Sequence, residues 1–130
     1  MYKIERKNGS FTLTFGGRID KPEMERWVKD SEKELGFCHG AFGVIIDMRT
    51  LDPLRPDVQS VMVQGQALYR SKGMQRSAVI LDNPVLTFQF MRLAKESGIY
   101  AFERYIDSSS DAGWQKRAEA WIISGVDPDK

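Results

Sequence analysis

The stretch Gly43-Val-Ile-Ile-Asp-Met-Arg49 decides the fold. Val44, Ile45 and Ile46 are three β-branched residues in a row, with Met48 two places on. A strand with one wet face alternates apolar and polar residues. A continuous apolar run reads instead as a strand covered on both faces, as at the centre of a parallel sheet. The run ends in Asp47 and Arg49, where the chain should surface at the strand's carboxyl end. Open α/β sheets keep their functional groups at that edge.

Downstream, Thr50-Leu-Asp-Pro-Leu-Arg-Pro56 is a turn-rich loop. A helix should start near Pro56 or Asp57, with Val58, Val61, Met62, Leu68 and Tyr69 at helical spacing. Gly65 falls on that stripe, where close contact with a sheet would suit it. Ser71-Lys72-Gly73 ends the helix, and Gln75 to Leu81 is the next strand. Asp82-Asn83-Pro84 starts a further helix, Val85 to about Ser97, with Leu86, Phe90, Leu93 and Ala94 as its inner face. The spacing predicts a last strand over Ile99 to Ile106. Glu103 and Arg104 interrupt its apolar signal, which suits a sheet edge. Asp107-Ser-Ser-Ser-Asp111 should cap a final helix carrying Trp114, Ala118, Trp121 and Ile122.

Upstream, Tyr2 to Arg6 and Phe11 to Phe15 both alternate, and Asn8-Gly9 between them is a strong hairpin signal. Asp20 should cap a first helix, with Pro22 in its first turn and Glu23 closing a capping box. Met24, Trp27, Val28 and Leu35 form its apolar face, and Gly36 its stop. The order is therefore ββαβαβαβα, a mixed and mostly parallel α/β sheet opened by a β-hairpin. Strands separated by helices run parallel through right-handed crossovers. One domain spanning residues 1–125 is expected, with 126–130 as a frayed polar tail.

Composition narrows the function classes. The 130 residues suffice for one domain with its own core. A formal net charge of +1 argues against a nucleic-acid surface spread over the domain. Cys38 is the only cysteine, so no internal disulfide or Cys-rich zinc site can form. The amino-terminal residues lack the apolar core of a signal peptide, and no run of about 18 apolar residues occurs. A reducing cytoplasm is the expected compartment. No cofactor or metal is expected.

No catalytic set emerges. Cys38 and His39 are adjacent, but neighbouring side chains rarely face each other productively, and no third residue orients them. Asp47 and Asp82 both follow apolar strands and could meet at one sheet edge. An acidic pair and a lysine in the receiver-domain pattern are missing, and Asp47 should bond loop backbone or Arg49. Arg70, Lys72 and Arg76 form a small basic cluster around a turn, in keeping with a solvated helix end. Phe88, Phe90 and Met91 give the third helix extra apolar surface, which would face either the interior or an apolar, lipid-like ligand at a membrane surface.

Phe15-Gly-Gly-Arg-Ile-Asp20, the strand Val44 to Asp47, Phe102-Glu-Arg-Tyr-Ile-Asp107 and Ala118-Glu-Ala-Trp-Ile122, taken in this order, resemble the STAS superfamily. These are the anti-sigma-factor-antagonist-like domains. The likeness is to the SpoIIAA-like branch, whose fold is similar to CRAL-TRIO domains. It covers nearly the whole chain. The resemblance implies a non-enzymatic regulatory module that binds another protein through its second helix and the preceding loop. Here those elements offer Asp47, Arg49, Arg55, Asp57 and Ser60. The partner is unnamed by the sequence, and a second copy of the chain is a further candidate. The CRAL-TRIO likeness implies the alternative, a carrier or sensor of an apolar molecule. STAS antagonists carry a phosphorylatable serine at the start of the helix after the central strand. Pro56 or Asp57 stands there, and Ser60 comes about one turn later. The resemblance therefore implies a module without the serine switch, with Asp57 as a fixed charge or simply a carboxylate favoured by the helix dipole.

Overall fold

The computed structural model describes residues 1–130. Strand β1 (Tyr2–Lys7) turns back antiparallel into β2 (Ser10–Gly17), and Lys7 pairs with Ser10 across Asn8-Gly9. Gly9 takes the left-handed backbone, φ 74°. Then follow α1 (Lys21–Leu35), β3 (Phe42–Leu51), α2 (Pro56–Ser71), β4 (Met74–Leu81), α3 (Pro84–Ser97), β5 (Glu103–Asp107) and α4 (Trp114–Ser124). The five strands lie in chain order, β1-β2-β3-β4-β5, and all pairings after the hairpin are parallel.

That order determines the layering. Each crossover advances one strand in the same direction. Right-handed connections therefore put α1, α2 and α3 on one face. α4 follows the last strand, has no crossover to make, and covers the other face. The large core lies under the three helices, with Phe11, Leu13, Phe15, Val44, Ile46, Met48, Val79 and Leu81 pointing into it. The smaller one joins Ile45, Ala78, Ile80 and Ile106 to Ala118, Trp121 and Ile122 of α4. The continuous apolar run of β3 thus reflects cover on both faces. β2 alternates because α4 does not reach it, leaving Thr12 and Thr14 half-buried.

Several local expectations need correction. Asp20 caps α1, its Oδ1 accepting from the Glu23 amide at 3.0 Å, but Glu23 closes no box. Its carboxylate pairs with the chain's amino terminus at 3.1 Å instead. Gly65 meets a helix rather than the sheet: an added Cβ would lie 2.0 Å from Cζ3 of Trp27 on α1. The last strand is shorter than expected, because Tyr100–Phe102 forms a 3₁₀ turn before it. Asp107 and Asp111 do not cap α4. Each folds its own turn, Asp107 accepting from the Ser109 amide and Asp111 from that of Gly113, both at 2.9 Å. Nor is the tail frayed. Arg104 lies 4.4 Å above the Trp121 ring and grips both carboxylate oxygens of Asp127, at 3.0 and 3.1 Å. Residues 126–130 thereby pack onto the domain instead of trailing from it.

Candidate functional site

Asp47 and Arg49 are two residues apart on β3, so they share a face and emerge together at its carboxyl end. Arg49 folds back on Asp47 as a two-pronged donor, with Nε to Oδ1 at 3.0 Å and Nη2 to Oδ2 at 2.8 Å. The Arg49 backbone amide adds a third bond to Oδ1 at 3.1 Å. The guanidinium stacks over Trp114 at the start of α4, 4.5 Å from the ring centroid. Partial burial pushes the Asp47 carboxyl up, but the hydrogen bonds and charge of Arg49 together hold it below its usual range. Arg49 is raised in turn, chiefly by its hydrogen bonds to Asp47, with a smaller contribution from the charge of Asp82. A carboxylate so fully engaged is a poor general base.

An open groove of about 600 Å³ surrounds this pair, lined also by Thr14, Thr50, Asp82, Ser108 and Ser109. Its position follows from the topology. β4 leads to α3 on one face and β5 leads to α4 on the other, so their carboxyl ends part into a crevice. Ser108 holds the two ends together, its amide and hydroxyl donating to the Leu81 carbonyl at 2.9 and 3.3 Å. Asp47 and Asp82 do share one edge. They gather no third metal-ligating side chain, and no cluster of three such residues exists in the chain.

The same edge carries the amino ends of α2 and α3, and a polar clasp locks these together. Gln89 of α3 brackets Leu54, its Oε1 accepting from the Leu54 amide at 2.7 Å and its Nε2 donating to the Leu54 carbonyl at 2.9 Å. Gln59 of α2 donates to the same carbonyl at 2.8 Å and accepts from Arg92 of α3. Arg55, Asp57 and Ser60 are exposed beside this clasp. Arg55 caps α2 without a side-chain bond. Ser60 Oγ donates back to the Pro56 carbonyl at 3.4 Å. On α3, Val85 and Phe88 are 64% and 73% exposed, one turn apart and followed on the same stripe by Arg92.

The candidate residues thus fall into two groups. Asp47 and Arg49 line the groove; Arg55, Asp57 and Ser60 sit on the clasp. Of the three residues offered for an apolar ligand, Phe88 faces outward and Met91 is half-buried. Phe90 is a correction: it is fully buried, because its position on the helix coincides with Leu86, Leu93 and Ala94. His39 and Cys38 belong to the amino end of β3, at the opposite edge from Asp47. Sequence reasoning missed Val85, Trp114 and Gln89. Val85 was readable as the apolar residue off the inner stripe; the roles of Trp114 and Gln89 depend on the layer order.

No helix is long and apolar enough to cross a membrane. The sequence matches no protein-family model and no curated protein. Among solved structures, the NMR structure of the protein TM1081 superposes on 86% of this chain and 85% of its own, with a TM-score of 0.59 and 13% identity. At that identity the likeness shows the α/β fold alone.

Proposed function

We propose that this domain is a non-enzymatic recognition module that binds another protein at the strand carboxyl ends. The observation that carries this reading is the clasped pair of helix starts. It presents Val85 and Phe88 to solvent on a braced surface, rimmed by Asp57, Arg55 and Arg92. Two adjacent exposed apolar side chains ringed by charged ones match the anatomy of an interface, apolar at its core and polar at its rim. The clasp means that little ordering remains to be done on binding. The resemblance to STAS domains points to the same elements. With Pro56 and Asp57 where that family carries its serine, binding is constitutive rather than phosphorylation-gated.

The reading is tested by isolating the bound protein from the source cell, identifying it, and measuring affinity with purified components. Asp57→Asn should cost under about 1 kcal/mol of stability, the scale of a carboxylate at a helix start. Affinity should change by more, and should weaken with added salt in the wild type. Equal affinities would reduce Asp57 to a helix-dipole partner.

A second reading, an apolar-molecule carrier, rests on the same Phe88. The interior cavity under α2 is only about 30 Å³, room for one or two waters. An acyl chain would have to lie on the outer face. Flotation of the protein with lipid vesicles, lost in Phe88→Ser, would favour this second reading.

A further inference from the structure

Glu103 is the first residue of β5, and β5 is an edge strand, paired with β4 and with nothing beyond it. Strand alternation sends Glu103 and Tyr105 to the α2–α3 side, and Arg104 and Ile106 to the α4 side. A charged residue at a sheet edge ordinarily meets water, yet Glu103 is 3% exposed. Its Oε2 accepts from Ser77 Oγ at 2.8 Å, while Oε1 is buried with no hydrogen-bond partner. The carboxyl lines the interior cavity together with Gln66 and Tyr69 of α2, Phe90 of α3 and Ile99. The groups that face it are the hydroxyls of Ser77 and Tyr105, and no lysine, arginine or histidine lines that cavity. Gln66 accepts at its Oε1 from Ser97 Oγ at 2.8 Å, and its side chain makes no hydrogen bond to Glu103.

We propose that Glu103 is a proton-operated latch on the edge strand: as a neutral acid it stays inside and seats β5 on β4, and as a carboxylate it moves to solvent and takes the start of the strand with it. A buried carboxylate with no cation beside it and one oxygen left without a donor is the costliest state available to this side chain. Release is easy by comparison. Only one ladder holds β5, and only a single 3₁₀ turn, Tyr100–Phe102, precedes it. The effect spreads through the neighbours. Arg104, next along the strand, anchors Asp127, and the Ser77 carbonyl accepts from Trp121 Nε1 of α4 at 3.0 Å. Movement of β5 should therefore loosen residues 126–130, independently of the clasp between α2 and α3.

The operating range follows from the chemistry of the site. Burial pushes the carboxyl up from 4.5 to about 7, against the pull of the Ser77 and Tyr105 hydroxyls. Burial, with the neighbouring carboxyl, drives Tyr105 further up, so it remains a hydroxyl throughout. A solvated Glu103 loses its proton near 4.5, before the seated one does. Below that pH both forms are neutral and the latch is fully seated. Between 4.5 and about 7 the released form gains as pH rises, and above about 7 the seated form is at its weakest.

Amide hydrogen exchange at pH 6 and pH 8, corrected for intrinsic rates, measures the opening of residues 103–107. The wild type should open about tenfold more at pH 8, and Glu103→Gln should show no such rise. Flat protection in the wild type, or the same rise in Glu103→Gln, would overturn the proposal. Should Glu103→Gln fail to fold, the ¹³C titration of the wild-type Glu103 carboxyl decides. Opening of residues 103–107 in the wild type that rises up to a titration midpoint near 7 and levels off above it supports the latch; a midpoint near 4.5, or opening that does not follow the titration, refutes it.

Discussion

Replacing Gly65 by alanine should destabilise the domain, although alanine is the better helix former. Gly65 lies in the middle of α2, where alanine would ordinarily gain up to about 1 kcal/mol. Its Cβ, however, would stand 2.0 Å from Cζ3 and 2.4 Å from Cη2 of Trp27. The indole cannot swing aside. It is stacked on Tyr69 with centroids 5.7 Å apart, and meets Phe15 edge-on at 5.1 Å. Relief therefore requires α1 and α2 to separate by more than an ångström, disturbing the whole aromatic layer. Overpacking of a core costs about 1–3 kcal/mol and occasionally more. With both rings pinned, the upper part of that range applies, for a net loss of about 2 kcal/mol. Urea unfolding followed by tryptophan fluorescence would measure it, with the midpoint falling and the slope unchanged. A Gly65→Ala protein as stable as the wild type would refute the close helix crossing that positions α2.

Ile45→Asp should abolish folding, because Ile45 is buried under α4 beside Ala78 and Ile122. An unpaired buried charge costs several kcal/mol, set against a typical total of about 5–15; an unchanged melting temperature would contradict this. Arg49→Lys keeps the charge but loses the two-pronged grip and the flat stacking on Trp114. The Asp47 carboxyl should then titrate at higher pH than in the wild type, as read by NMR, with a stability loss of about 1 kcal/mol for hydrogen bonds at a partly exposed site. An unmoved Asp47 titration would show that the ion pair does not set its charge.

The frame of the molecule was legible in the residues. Val44 to Ile46 carry their double burial in an unbroken apolar run, and Phe11, Leu13 and Phe15 carry single-sided burial in their alternation. Asn83 and Asp20 announce helix starts by capping chemistry that acts within three residues. What was not legible depends on contacts distant in sequence. Gly65 reveals its stripe but not that Trp27, 38 positions earlier, fills the space above it. Glu103 has the composition of an exposed edge, yet strand phase and the short 3₁₀ turn set it inside against Ser77. Residues 126–130 look like a polar tail until Arg104 is placed beside Asp127. For the site, Asp47 pairs with Arg49 within one strand end and could be anticipated. The clasp of Gln89 on Leu54 required the order of the layers.

The most direct test of the recognition role is the affinity of the identified protein partner for a Val85→Ser/Phe88→Ser double variant, measured by calorimetry. Both side chains are largely exposed, so the variant should fold with wild-type circular dichroism and a similar melting temperature. Apolar anchors at the centre of an interface contribute more than about 1–2 kcal/mol each when truncated, so affinity should fall at least tenfold, since each 1.4 kcal/mol is a factor of ten. An unchanged dissociation constant in the folded double variant would contradict the assignment of the clasped α2–α3 surface as the recognition site.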